Sequence, residues 1–364
     1  MNPSDECFLY DRDDIEVADA ITEAQRIAFA PMLFQAAVCL RDFGVLAYLK
    51  RSGAQGAARE DIAENTGLSA YAAGVLLDAG LAARLLFEKD GRFFLGRVGL
   101  CLLRNTMTRV NMDYVRDVCY AGMAKLGQAL REEKPAGLGI FGDWPTIYPA
   151  LSSLPEPART SWFAFDHHYS DDAFGPALPH VFRHRPAHIY DVGGNTGRWA
   201  LRCAAHDRDV RVTVLDLPEQ LALLKREIAR ESPDIAARIG AHPVDILRDG
   251  PLPGEADAWW MSQFLDCFSL EEVVAILTKV RRAMKPAARL FILEPLCDRQ
   301  RFEAGALTLN AASLYFTCMA NGNSRFFRFP MLEQCLAQSG FVMEEVIDGL
   351  GVGRHTLIIA AAGE

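Results

Sequence analysis

The sequence predicts an α/β protein in two parts, a doubly wound C-terminal domain preceded by a mainly helical N-terminal one. Three observations lead there. The chain has 364 residues, more than one hydrophobic core ordinarily organises. From His188 onward, short β-rich runs alternate with helical segments, the texture of a parallel sheet covered by helices on both faces. Ahead of residue 180 the apolar residues recur instead at helical spacing, interrupted by one hairpin signal. The expected boundaries are 1–106 for a first helical domain, 107–180 for a helical connector that helps to wall a ligand pocket, and 181–364 for the sheet domain.

Composition narrows the class. Half of the residues are hydrophobic and 23% are charged, which suits a packed globular chain and excludes a disordered one. A net charge of -9 argues against affinity for phosphate backbones, so no nucleic-acid partner is expected. No uncharged apolar run reaches the roughly 18 residues of a spanning helix, and the acidic opening MNPSDE is unlike a secretory signal. A cytoplasmic protein with no membrane partner is the expectation. The nine cysteines form no C-x-x-C pair and the eight histidines no H-E-x-x-H pair, so free buried thiols and no metal site are expected.

The N-terminal elements follow from periodicity and turn chemistry. Val17 to Leu49 reads as a long amphipathic helical region closing at Arg51-Ser52-Gly53. A short helix over 59–66, a Gly67-Leu68-Ser69 turn and a helix over 70–81 come next. Strands over 83–87 and 93–95 flank a turn at 88–92 whose Asp90-Gly91 pair supplies the left-handed positions a hairpin needs. Helix, turn, helix and hairpin describe a winged helix. Its second helix carries no Lys or Arg, so protein–protein packing, dimerisation above all, is favoured over DNA reading. Residues 107–182 are mostly helical, broken at Pro135-Ala136-Gly137 and at 154–157, and rich in aromatics that serve the core and, in part, an aromatic ligand pocket.

In the C-terminal part the strands expected are 188–192, 211–216, 258–262 and 289–294, with weaker ones near His242, Val342 and Leu357. Helices are expected over 199–206, 218–230 and 270–284. Directly after the first strand stands Asp191-Val192-Gly193-Gly194-Asn195-Thr196-Gly197, then a helix start. A strand, a glycine turn and a helix N-terminus let the backbone approach a ligand without interference from Cβ. The G-x-G-x-x-G spacing of a dinucleotide site is absent, and Asn195 occupies a turn position because Asn tolerates the left-handed region best after Gly. Asp216 ends the next strand, where a carboxylate accepts two ribose hydroxyls. Asp245 follows the third strand, placed for an adenine amino group or else a solvated loop acid.

The DVGGNTG loop, the LDLP after the next strand, Asp245-Ile246, FILEPL at 291–296 and the winged-helix start together resemble the plant and bacterial small-molecule O-methyltransferase family, which includes caffeate and acetylserotonin methyltransferases. The resemblance covers nearly the whole chain. It implies a seven-stranded, Rossmann-like domain that binds S-adenosyl-L-methionine, and a homodimer formed through the N-terminal helices. The cofactor contacts it implies are Gly193, Asp216, Asp245 and Ile246, with Gly194 and Gly197 keeping the turn in shape; Asp191, Asn195, Leu217 and Ser262 complete the expected cofactor site. The activity it implies is methyl transfer to a hydroxyl, or a ring carbon, of a small aromatic metabolite.

The pattern breaks at the base. Where the family has a histidine after the fourth strand, this chain has Asp266, within Phe264-Leu265-Asp266-Cys267-Phe268-Ser269. A carboxylate at its reference pKa near 3.9 is a poor base for a phenol near 10, but burial raises it toward the working range. Asp266 is therefore the candidate base, with a helix cap as the plainer role; Ser269 suits the cap better, with Glu272 at the capping-box position. Glu294 matches the family glutamate that steadies the histidine, and Ser324 stands where a second glutamate would. His167 and His168 are alternative bases from the helical connector. Phe264, Phe316 and Met319 are expected on the substrate side. Two other functions fit the motif: a cofactor-binding enzyme that rearranges, eliminates or hydroxylates, and a non-catalytic regulator that senses the cofactor.

Overall fold

The computed structural model describes residues 7–248 and 250–363, so the acidic opening and the reading placed on it lie outside the described residues. The chain forms two compact units, one of residues 10–115 and one of 116–363 together with 7–9.

In the first unit, the single long helical region breaks into α1 (Val17–Ala28), α2 (Ala30–Asp42) and α3 (Val45–Ser52). The breaks have local causes: Pro31 belongs in a first helical turn, and Gly44 takes φ 81° ahead of α3. Helices α4 (Arg59–Thr66) and α5 (Ala70–Ala82) follow as expected, with Ser69 Oγ accepting the Ala72 N–H at 3.1 Å to cap α5. The hairpin is displaced from its expected position to β1 (Leu86–Lys89) and β2 (Arg92–Leu95). Asp90 and Gly91 both have positive φ and form a two-residue turn, so pairing extends to Lys89 and Arg92. Helices α6 (Arg97–Arg104) and α7 (Thr106–Tyr114) complete the unit around a core that includes Leu40, Leu46, Leu49, Ile62, Leu77 and Phe93. Helix α1 buries none of its residues and leaves Val17, Ile21 and Ile27 exposed.

The second unit opens with α8 (Leu126–Glu132) and α9 (Ala158–Phe182) and continues as an alternation. Its members are β3 (His188–Val192), α10 (Arg198–His206), β4 (Arg211–Asp216), α11 (Pro218–Ile228), α12 (Pro233–Ala236), β5 (Ile239–Pro243), β6 (Ala258–Ser262), α13 (Leu270–Ala283), β7 (Arg289–Glu294), α14 (Glu303–Tyr315), α15 (Phe329–Gln338), β8 (Phe341–Leu350) and β9 (His355–Ala362). The seven strands lie in the order β5-β4-β3-β6-β7-β9-β8. Strands β3 to β7 are parallel, and β9 runs antiparallel between β7 and β8. The four principal strands have the bounds that their continuous apolar runs predict, because a sheet covered on both faces needs no polar alternation.

One face packs Val192, Met261, Ile292 and Leu332, and the other packs Trp199, Leu224, Trp260 and Phe291. Each such buried side chain stabilises by roughly 1.5–3 kcal/mol, against at most about 1 kcal/mol for an exposed ion pair, so the two covered faces hold the domain together. Chain order reverses between β3 and β6: β4 and β5 lie to one side of β3, and β6 returns on the other. Such a switch point leaves a crevice beyond the carboxyl ends of the two strands, where ligands settle. Among the described residues no single helix is long and apolar enough to cross a membrane.

Candidate active site

At the carboxyl end of β3 the chain turns through Gly193 (φ 71°), Asn195 (φ 50°) and Gly197 (φ 80°) into α10. A Cβ on Gly193 would lie 2.1 Å from Phe264 Cδ2, and one on Gly194 would lie 2.5 Å from Asp191 Oδ2, so neither position has room for a side chain. Asn195 takes the left-handed conformation its side chain tolerates. At the end of β4, Asp216 Oδ2 accepts the Asn195 N–H at 2.8 Å and Oδ1 accepts the Leu217 N–H at 2.7 Å. The glycine turn and the acid of the following strand are thus joined directly. Burial pushes the Asp216 carboxyl up to about 6 in spite of those two donors.

Around this turn, Asp191 Oδ2, Asn195 Oδ1, Thr196 Oγ1, Ser262 Oγ and Glu294 Oε2 are buried without a hydrogen-bond partner among the described residues. They come from the ends of β3, β6 and β7 and from the turn itself. An unpaired buried polar atom costs about 1–3 kcal/mol, so five together mark a place built for a polar ligand. Burial and then the Asp216 charge push the Asp191 carboxyl up to about 8. Asp245 closes a turn on itself: Oδ1 accepts the Leu247 and Arg248 N–H groups at 3.1 and 3.3 Å, and Oδ2 lies 3.6 Å from Arg248 Nε. Ile246 is buried, and its carbonyl accepts Lys279 Nζ at 2.6 Å.

On the other side of the crevice, Asp266 sits in the 3₁₀ turn 265–267 after β6 and is 2% exposed. It is not the helix cap. Ser269 Oγ accepts the Glu272 N–H at 3.2 Å and Glu272 Oε2 accepts the Ser269 N–H at 2.9 Å, the expected capping box of α13. Glu294 has work here without an imidazole: its Oε1 accepts the Phe264 and Leu265 N–H groups at 3.1 and 3.0 Å and so fixes the turn that carries Asp266. Asn321 reinforces it by donating from Nδ2 to the Cys267 carbonyl while its Oδ1 accepts the Ser324 hydroxyl at 3.0 Å.

Burial pushes Asp266 up to about 7, opposed by the Cys267 thiol that donates to Oδ1 at 3.5 Å and assisted by the charge of Asp166. Burial and then the Asp266 charge drive Glu294 well above the usual carboxylate range. Two acids that raise one another in a low-dielectric site do not ionise together, so the pair carries one charge over the neutral range.

Both candidate histidines lie on α9. His167 Nδ1 lies 3.6 Å from Asp171 Oδ1; burial pulls its imidazole down, and the hydrogen bond to Asp171 with the charges of Asp166 and Asp171 lifts it above its ordinary value. His168 packs edge-on against Tyr169 and is lowered by burial. Neither acts on Asp266. Phe264 lies against Gly193 and stands edge-on to Phe268 at 5.0 Å, so it seals the glycine turn. Phe316 stands edge-on to Tyr315 and Phe326. Met319 is fully buried, with its sulfur against Gly122 and Gly137.

Three residues of this side carry no motif: Tyr148, whose buried hydroxyl lies beside Cys267, Tyr315 and Asp266; Trp162, whose Nε1 donates to the Tyr315 hydroxyl at 2.6 Å; and Asp166. Only the helical spacing of Trp162 and Asp166 in an aromatic segment signals them in the sequence.

A seven-stranded sheet of this order, a glycine turn tied to an acid one strand away and a buried polar cradle between them define an S-adenosylmethionine-dependent methyltransferase. Two domain families match parts of the chain: a dimerisation2-like domain over residues 22–93 and an O-methyltransferase domain over residues 181–341. Residues 181–341 belong to the O-methyltransferase domain family, and the cofactor is S-adenosylmethionine.

It is 24% identical to the L-tyrosine C(3)-methyltransferase of Streptomyces lavendulae over 311 residues, 84% of this chain and 83% of that protein. It is 26% identical to the demethylspheroidene O-methyltransferase of Rhodobacter capsulatus over 286 residues, 77% of this chain and 67% of that protein. The crystal structure of the methyltransferase SibL in its apo form shares the fold, with a TM-score of 0.72 at 23% identity over 96% of this chain and 100% of that one.

Proposed function

We propose that the protein methylates a hydroxyl group, or an electron-rich ring carbon, of a small aromatic metabolite, with Asp266 as the base. The observation that carries this reading is the placement of a buried carboxyl pair, Asp266 and Glu294, beside the cofactor turn and among aromatic rings. Relatives that methylate a tyrosine ring carbon and a demethylspheroidene oxygen support both acceptor types. The cofactor supplies, when bound, a methyl group on an already activated sulfonium, so the chain has to align an acceptor, exclude water and manage one proton. Asp216 would hold the ribose, Gly193 to Gly197 would cradle the methionyl end, and Asp191, Leu217, Asp245, Ile246 and Ser262 would line the remainder.

Phe264 and Phe316 close the crevice from water. The proton leaves the acceptor for Asp266, while Glu294 holds the turn through the Phe264 and Leu265 amides. A carboxylate raised by burial narrows the gap to a phenolic proton. The base must be ionised to act and burial holds Asp266 at about 7, so turnover climbs with pH through neutrality. Asp266→Asn is expected to lower kcat by roughly 10²-fold or more and to remove that rising limb, with S-adenosylhomocysteine affinity unchanged. Methyl transfer to a phenol panel at pH 5.5 to 9 checks it; a variant with unaltered turnover and pH profile excludes Asp266 as the base.

Assembly as a homodimer belongs to the same reading. Helix α1 buries nothing within its own unit and leaves Val17, Ile21 and Ile27 to be covered, and the dimerisation2-like domain spans it from residue 22. Sedimentation at micromolar concentration is expected to give a dimer and, for Ile21→Glu with Ile27→Glu, a monomer. A wild-type monomer contradicts this assignment.

A further inference from the structure

One residue at the crevice has a backbone out of keeping with its type. Gln263, between Ser262 and Phe264, has φ 45°. That left-handed conformation is uncommon for a residue with a Cβ and a long side chain, and it persists only where the surroundings hold it. It is the bend by which the chain leaves β6 and enters the turn that brings Phe264 against Gly193 and carries Asp266 two residues further on.

Main-chain bonds hold one side of the bend: the Gln263 N–H donates to the Leu293 carbonyl at 3.1 Å, and Glu294 accepts the next two amides. The side chain is held from another strand. Gln263 Oε1 lies 3.3 Å from Nε2 of His355, the first residue of β9, which is 0% exposed. The imidazole has little freedom of its own. A Cβ on Gly353 would lie 2.9 Å from His355 Cε1, one on Gly351 would lie 2.8 Å from the Ala173 nitrogen, and Asp172 Oδ2 accepts the Val352 N–H, so the turn between β8 and β9 is seated on α9 around the ring. Burial pushes the imidazole down to about 4, so it is neutral at working pH and keeps its bond to the amide.

We infer that His355 is a positioning residue of the cofactor crevice: through the Gln263 side chain it holds the left-handed bend that places Phe264 against Gly193. The inference rests on the cofactor reading above and does not depend on which acceptor is methylated.

Calorimetry of S-adenosylhomocysteine binding to the full-length protein tests it, and the order of the variants is the readout. Gln263→Ala loses the bond to His355 and keeps the strain, so its affinity is expected to fall about five- to tenfold. Gln263→Gly loses the same bond but adopts positive φ freely, so it is expected to bind within about twofold of wild type. His355→Leu, or His355→Ala should the first not fold, is expected to match Gln263→Ala when Gln263 is present and to have no further effect beside Gln263→Gly. A histidine with a purely structural role would lower the melting temperature in both backgrounds and leave that order absent. Gln263→Gly binding as weakly as Gln263→Ala, a folded His355 variant that binds like wild type, or a His355 loss that survives beside Gln263→Gly overturns the inference. Wild-type protein that fails to bind S-adenosylhomocysteine would instead remove the cofactor reading beneath it, so the two failures are distinguishable.

Discussion

Asp216→Ala is expected to weaken S-adenosylmethionine binding by at least roughly a hundredfold. Two losses combine. The carboxylate that would hold the ribose disappears, and the Asn195 and Leu217 N–H groups it accepts at 2.8 and 2.7 Å lose their partner, at about 1–3 kcal/mol for each donor left buried. The second loss also loosens the glycine turn, so Asp216→Asn, which keeps an acceptor oxygen, should fall between the variant and wild type. The sheet does not depend on this side chain, and the melting temperature without ligand should move little. Calorimetry with both variants decides the matter: an Asp216→Ala affinity within about threefold of wild type contradicts the role given to this residue.

The second large effect belongs to Gly193→Ala. The added Cβ meets the Phe264 ring at 2.1 Å, and the residue would have to hold φ 71°, a conformation that costs a side-chain-bearing residue on the order of 1–3 kcal/mol. The Phe264 ring is packed edge-on against Phe268 and its main chain is held by Glu294 through the Phe264 and Leu265 N–H groups, so neither moves aside without cost. The strain therefore passes into the turn that carries Asp266. We expect a melting temperature lower by several degrees, S-adenosylmethionine affinity reduced more than tenfold, and a further loss in kcat. Gly250→Ala, with open space around its Cβ, is the control. A Gly193→Ala enzyme that binds and turns over like wild type would show that the turn is not held as described.

Where the sequence spoke clearly, it did so because the backbone has few alternatives. Strands β3, β4, β6 and β7 are short β-rich runs bounded by polar or glycine positions, and they form between those residues. The cofactor turn was legible because Gly193, Asn195 and Gly197 are the residue types that tolerate positive φ. The hairpin register was not, because a two-residue turn at Asp90-Gly91 and a five-residue loop share the same D-G pair. The breaks at Phe29 and Gly44 were hidden by an apolar periodicity that runs across them.

The acceptor side was the least legible part, for a physical reason. Tyr148 lies in a 3₁₀ turn, Trp162 and Asp166 on a long helix, and Tyr315 at the end of another, and only tertiary packing brings them together. Glu294 shows the same limit: its residue type and position were readable, but its bonds to two backbone amides were not.

Isothermal titration of purified, ligand-free protein with S-adenosylhomocysteine tests the central claim most directly, that the Gly193–Gly197 turn and Asp216 form one cofactor cradle. The account predicts saturable binding at one site per chain that is lost in Asp216→Ala. Absence of heat or saturation for the folded wild-type protein would contradict it.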